Sequence, residues 1–147
     1  MDSLKQLIDY TCWGNRLWLD FVFANAPNDE YLTKIISHVY CAERIWFQRI
    51  YGEALDTGIF ATLPKAELEE IAKRMETRYA DVLTTDLDRV LKYTRLNGEP
   101  MESSLLEILH HLVTHGSHHR GQMARHAAQA GLNPPESSYI GFSRVRR

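Results

Sequence analysis

The sequence predicts an all-α fold, a four-helix bundle with a long connection between its third and fourth helices. Three observations carry this expectation. Apolar residues recur at helical spacing through four long stretches, strand-like alternation is nearly absent, and capping residues, prolines and glycines punctuate the ends of those stretches. At 147 residues the chain suits one domain spanning 1–147, large enough to bury roughly two thirds of its unfolded surface without disulfides.

The first helix is expected from about residue 4 to 24, opened by a capping box of Ser3 and Gln6 and carrying Leu4, Leu7, Ile8, Thr11, Trp18 and Val22 on its apolar side. Pro27 and Asn28 break it, and Asn28 is a suitable N-cap for a second helix bearing Leu32, Ile35, Val39, Ala42, Ile45, Trp46 and Arg49. That helix should stop near Tyr51 and Gly52. A loop of about a dozen residues follows, and Pro64 suits the first turn of a third helix, where a missing backbone donor is tolerated. Leu68, Ile71, Met75, Tyr79 and Val82 form its buried stripe. Between Val90 and Met101 the helical period disappears, and Asn97-Gly98 predicts a tight reversal with two residues at positive φ, in a short hairpin or irregular excursion. Ser104 and Glu107 then form a capping box for a long fourth helix, which Gly131 can end and Pro134 and Pro135 keep from resuming.

Composition narrows the function. Lys and Arg total 17 against 19 Asp and Glu, so no general positive field exists to attract a nucleic-acid backbone. Arg144, Arg146 and Arg147 read as a solvated tail. The 2 cysteines, Cys12 and Cys41, form no CxxC pair, which argues against a thiol-rich metal site or redox motif. Neither a secretion signal nor an 18-residue apolar run is evident, so the expectation is a soluble cytoplasmic protein with no membrane partner.

Five of the 7 histidines, His110, His111, His115, His118 and His119, crowd one part of the fourth helix. At about 3.6 residues per turn, His111, His115, His118, His119, Gln122 and His126 project within an arc of roughly 100°, with His110 turned away. Solvated faces are usually built from Glu, Lys and Arg, so this face asks for another explanation. Residues four apart are helix neighbours, and either His115 with His119 or His111 with His115 could direct two ring nitrogens at one ion. A third ligand must come from elsewhere. His38 lies on the apolar side of the second helix, where the plainer reading is a core histidine donating to a backbone carbonyl.

The segment HGSHHRGQ, from His115 to Gln122, resembles the HxxxHRGQ stretch of the DinB family, also described as DinB or YfiT-like metalloenzymes. YTCWGN, from Tyr10 to Asn15, is similar to that family's aromatic opening, and SHVYCAERIWFQR, from Ser37 to Arg49, resembles its histidine-bearing second helix. The NGE turn before the fourth helix agrees as well. The resemblance implies metal ligation by His38, His115 and His119, with His111, His118 and His126 outside the ligand set. The expected cofactor is a divalent metal ion, zinc or nickel. The resemblance also implies a homodimer, to which the large apolar groups of the first helix, Trp13, Leu17, Trp18, Phe21 and Phe23, could contribute a covered face.

Several neighbours carry their own expectations. Arg120 projects about 100° from His119, which suits packing or a salt bridge as well as substrate contact. Gln122 lies on the histidine face and could fix an imidazole or a water. Cys41 reads as a small core residue. Trp13, Trp18 and Trp46 suit the core, with at most one touching substrate. Three neutral imidazoles leave coordination positions open, so a bound ion could activate a thiol or a water. Characterised relatives use low-molecular-weight thiols, so the resemblance favours thiol transfer on a small molecule. Metal-dependent hydrolysis and a non-catalytic metal-binding stress-response module are the alternatives.

Overall fold

Amphipathic stretches fold into helices where their apolar stripes can share one core, and the computed structural model, which describes residues 2–56 and 58–146, shows this for four long segments. These are α1 (Asp2–Asn25), α2 (Glu30–Tyr51), α3 (Lys65–Val82) and α4 (Leu105–Gln129). Between α3 and α4 stand two antiparallel strands, β1 (Val90–Thr94) and β2 (Pro100–Ser104), and a short α5 (Tyr139–Val145) closes the described chain. The protein is thus mostly helical, with the expected hairpin in place and one short helix beyond the four expected.

The core is built from Trp18 and Leu19 of α1, Leu32, Ile36 and Phe47 of α2, Leu68, Met75 and Tyr79 of α3, and Leu105, Leu109, Leu112 and Met123 of α4. α1 packs against α2, α3 and α4, while α2 touches both α3 and α4. Among the described residues no helix is long and apolar enough to cross a membrane.

The boundaries follow local chemistry, with some shifts from expectation. α1 already includes Ser3, so Ser3 does not open the helix, and Gln6 instead accepts a hydrogen bond from the Tyr139 hydroxyl at 3.2 Å. The N-cap of α2 is Asp29 rather than Asn28: its Oδ1 accepts from the Leu32 N–H at 2.9 Å while Oδ2 lies 2.9 Å from Nε2 of His126 on α4. Both residues could cap, and the contact with α4 is one that only Asp29 makes. Gly52 ends α2 at φ 67°. Pro64 caps α3 from one position before its first residue. The capping box of Ser104 and Glu107 forms as expected.

In the hairpin only Gly98 adopts a positive φ, at 87°. Gly98 N–H donates to Arg95 and Arg95 N–H to Glu99, so the reversal spans five residues and Asn97 escapes the left-handed region. Pro100 pairs with Thr94 at the turn end of the two-stranded ladder, as the first residue of an edge strand, where a missing donor is tolerated.

α5 was not anticipated. Phe142 is buried against Tyr10 and Trp13 at ring-centroid distances of 5.8 and 5.5 Å, so part of the apolar surplus of α1 is covered by this chain's own carboxyl end. Arg144 lies within α5 and Arg146 caps it, both exposed; Arg147 lies outside the described residues.

Candidate metal centre

α2 and α4 lie side by side, and that contact brings His38 to the His115–His119 pair. Nε2 of His115 stands 3.2 Å from Nε2 of His38 and 3.1 Å from Nε2 of His119. All three candidate ligand atoms fall within 4.8 Å of one another. Nitrogens held about 2.0–2.1 Å from one ion stand about 3.3 Å apart at tetrahedral angles and about 2.9 Å apart at right angles. The two spacings from His115 lie between these values, and the third pair lies within 4.8 Å, so the cluster could hold a metal ion.

Tautomers support that geometry. Nδ1 of His38 faces the carbonyl of Ile59 at 3.1 Å, and Nδ1 of His119 faces Oε1 of Gln122 at 2.7 Å. A carbonyl or amide oxygen only accepts, so each Nδ1 carries the ring proton and each Nε2 turns a lone pair toward the cluster. Lone pairs converging at this distance repel unless a proton or cation sits among them. Burial, reinforced by the neighbouring imidazoles, lowers the pKa of His115 to about 3, and burial lowers that of His119 despite the Gln122 hydrogen bond. Neutral His115 can keep its one ring proton on Nε2 and share it with a neighbour, and with that proton moved to Nδ1 all three Nε2 lone pairs could serve a cation.

The three ligand candidates named from sequence are brought together, and the others are not. His111 lies tilted beside His115 at 5.5 Å and edge-on to Trp46 at 5.6 Å. His118 lies 5.2 Å from His119 on the exposed side, and His126 stacks on Tyr31 at 4.4 Å while engaging Asp29. His110 points elsewhere and is exposed. Cys41 is buried, and burial pushes its thiol pKa up, as expected of a core residue rather than a soft ligand. Trp18 donates to Ser137 Oγ at 3.0 Å and is fully buried, so neither it nor Trp13 under α5 borders the histidines.

Two contributions escaped the sequence. The loop between α2 and α3 supplies the Ile59 carbonyl and lays Phe60 parallel to the His38 ring at 5.1 Å. The second is a buried polar chain that draws one side chain from each long helix. Arg120 of α4 donates to Asn15 of α1 at 2.6 Å, Asn15 donates to Glu43 of α2 at 2.9 Å, and Tyr79 of α3 donates to the same Glu43 oxygen at 3.1 Å. Arg120 also lies over the Tyr10 ring at 4.8 Å. Gly14 and Gly116 make room for it: a Cβ at Gly14 would come 2.8 Å from Arg120 Nε, and one at Gly116 would come 3.0 Å from Nη1. Arg120 thus braces the helix that presents His119 and takes no part in the ligand cluster.

Fold and site together define a mostly helical protein with a three-histidine cluster that can hold a metal ion. The DinB family model matches residues 1–146, and the chain belongs to that family. Among curated relatives, it is 30% identical over 137 residues to the uncharacterized protein YizA of Bacillus subtilis strain 168, covering 88% of this chain and 84% of YizA. It is 24% identical over 159 residues to Protein DinB of the same organism, covering 94% of this chain and 92% of that protein.

Proposed function

We propose that this protein binds one divalent metal ion through Nε2 of His38, His115 and His119 and acts as a metal-dependent enzyme on a small molecule. The observation that carries this reading is the convergence of three Nε2 atoms at 3.1 and 3.2 Å, with the Nδ1 protons of His38 and His119 anchored outward on Ile59 and Gln122. Such anchoring fixes ring orientation and raises the basicity of the ligating nitrogen. Three protein ligands leave room for a fourth, which separates this arrangement from a closed structural site.

When bound, a divalent ion supplies a Lewis acid that favours the deprotonated form of a thiol or water at its open position. The family resemblance favours the thiol, so thiol transfer to a small electrophile is the preferred reaction. The protein's own part is to present neutral imidazoles and cover one side of the site with Phe60.

Elemental analysis of purified protein tests the first step, with close to one divalent ion per chain expected. Cobalt substitution tests the second: a low-molecular-weight thiol should produce a sulfur-to-metal charge-transfer band that His38→Ala abolishes. Thiol-dependent consumption of an electrophile by the loaded protein, absent from the metal-free protein, completes the case. Metal-dependent ester or amide hydrolysis without thiol access would replace the reaction while leaving the three-histidine site standing, and a metal-free protein would remove both.

A further inference from the structure

A cleft of about 580 Å³ opens between the hairpin, the end of α2 and the start of α4. Its wall includes Trp46 and Arg49 of α2, Tyr93 and Arg95 from the hairpin side, and Glu107 and His111 of α4. His111 connects it to the metal centre, since its ring touches Trp46 on one side and His115 on the other.

The charges in this cleft are unequally satisfied. Arg95 pairs with Glu99 at 2.9 Å. Glu107 is engaged by the backbone N–H of Ser104 at 2.7 Å and by that residue's hydroxyl. Arg49 has no carboxylate partner among the described residues. Its guanidinium is held between Trp46 at 4.8 Å and Tyr93 at 5.2 Å, and Nη2 donates to the Thr94 carbonyl at 3.1 Å. Nε is buried without a hydrogen-bond partner. A role confined to tying the hairpin to α2 accounts for the Thr94 bond and leaves the rest of the fork unused. Burial also lowers the pKa of this arginine, a cost to its charge that a bound anion would offset.

We propose that Arg49 is an anchor for the carboxylate of a small molecule that lies along this cleft and reaches the metal centre with its other end. The proposal rests on the metal-site reading above and specifies the class of molecule that site accepts. Helix geometry sets the scale. His38 and Arg49 are both on α2, eleven positions or about three turns apart, so they face the same side and are separated by about 16 Å along the axis. Helical side chains lean toward the N-terminus, so the Arg49 side chain reaches into that interval and leaves a ligand roughly 10 Å to span, the size of a short peptide-like acid and larger than a bare amino acid. Trp46 and Tyr93 offer the apolar flank such a molecule needs between its ends.

Glutathione and its uncharged diethyl ester are suitable probes, titrated into metal-loaded protein by calorimetry and by the indole N–H resonance of Trp46. Glutathione should bind more tightly than the ester to the wild type. Arg49→Gln should weaken the acid roughly tenfold to hundredfold, the usual range for losing a charge-assisted hydrogen bond, and leave the ester unchanged. Arg49→Lys, which keeps the charge and loses the planar fork, should fall between them and guards against misreading a folding defect. Equal binding of acid and ester, an equal loss of both in Arg49→Gln, or no binding of the acid at millimolar concentration would overturn the anchor. Metal content separates this from the parent reading. An Arg49-dependent response of Trp46 in protein that holds no metal would retain the anchor and reject the metal site, whereas full metal content with an Arg49-independent response would do the reverse.

Discussion

Glu43 offers the sharpest test of how the interior is organised, because Glu43→Gln changes a charge while leaving shape and hydrogen-bond acceptance nearly intact. The amide oxygen can still accept from Asn15 and Tyr79, as Oε1 does now. Burial of the fully enclosed carboxyl raises its pKa from 4.5 to about 7, against the opposing pull of the Tyr79 hydrogen bond, the Arg120 charge and the Asn15 hydrogen bond. Between about pH 4.5 and pH 7 the folded chain therefore retains a proton that the unfolded chain has released, and wild-type stability declines as pH rises through that window. Above and below it the contribution of this group is constant. At 1.36 kcal/mol per pH unit the change amounts to about 3 kcal/mol.

Glu43→Gln lacks this titration, so its stability relative to wild type should improve by about 3 kcal/mol between pH 4.5 and pH 7 and then level off. Any fixed packing difference between acid and amide shifts the whole curve and leaves its pH dependence untouched. Urea unfolding of both proteins in the same metal state, at half-unit steps from pH 4.5 to 8.5, reads this directly. With a slope near 1.5 kcal/mol/M, the difference between their midpoints should change by about 2 M. A difference that stays constant with pH would mean that burial does not raise the carboxyl. A change of opposite sign would mean that Arg120, through Asn15, overcomes desolvation and keeps Glu43 ionised.

The remaining predictions concern the histidines. His115→Ala and His119→Ala should each remove most of the bound metal while His118→Ala changes occupancy little, as elemental analysis after dialysis will show; unchanged metal in both of the first two variants would exclude the ligand assignment. Gln122→Leu removes the acceptor that orients His119 and should weaken metal affinity by roughly tenfold to hundredfold, measured by competition with a chromogenic chelator. Acidification should release the ion because protons compete for the same lone pairs. In metal-free Glu43→Gln protein, which lacks the opposing Glu43 titration, stability should fall as pH drops from 6.5 toward 3, since His115 stays neutral in the folded chain over that range while its unfolded counterpart takes up a proton; a flat unfolding midpoint of that variant across the range would contradict this.

Much of the fold was legible because four stretches are long enough for helical periodicity to show. Every residue in the expected α3 stripe is buried, as are Leu32, Val39, Ala42 and Ile45 of α2. α5 was not legible, since its seven residues make only two turns and its burial rests on Tyr10 and Trp13 at the other end of the chain. The shift from Asn28 to Asp29 is of the same kind: two adjacent residues cap equally well on local grounds, and one also meets His126.

At the site, spacing made the His115–His119 pair readable and family resemblance selected His38, but the backbone oxygen that orients His38 leaves no trace in side-chain identity. Glu43 did leave one, as an acid among Ile36, Tyr40, Phe47 and Ile50 on the buried side of α2, although its partners could not be named from α2 alone. Asn15 lies 28 positions from Glu43 and 105 from Arg120. The segment from His115 to Gln122 joins the two halves of the problem. His115, His119 and Gln122 face His38 and the α2–α3 loop, while Gly116 and Arg120 face α1. Rotating α4 by one residue, about 100°, would carry the ligand pair away from His38 and drive Arg120 out of the space left by Gly14 and Gly116. The polar brace and the candidate metal centre therefore specify the same orientation of one helix, which is why an arginine that touches no ligand belongs to the same short motif as the histidines.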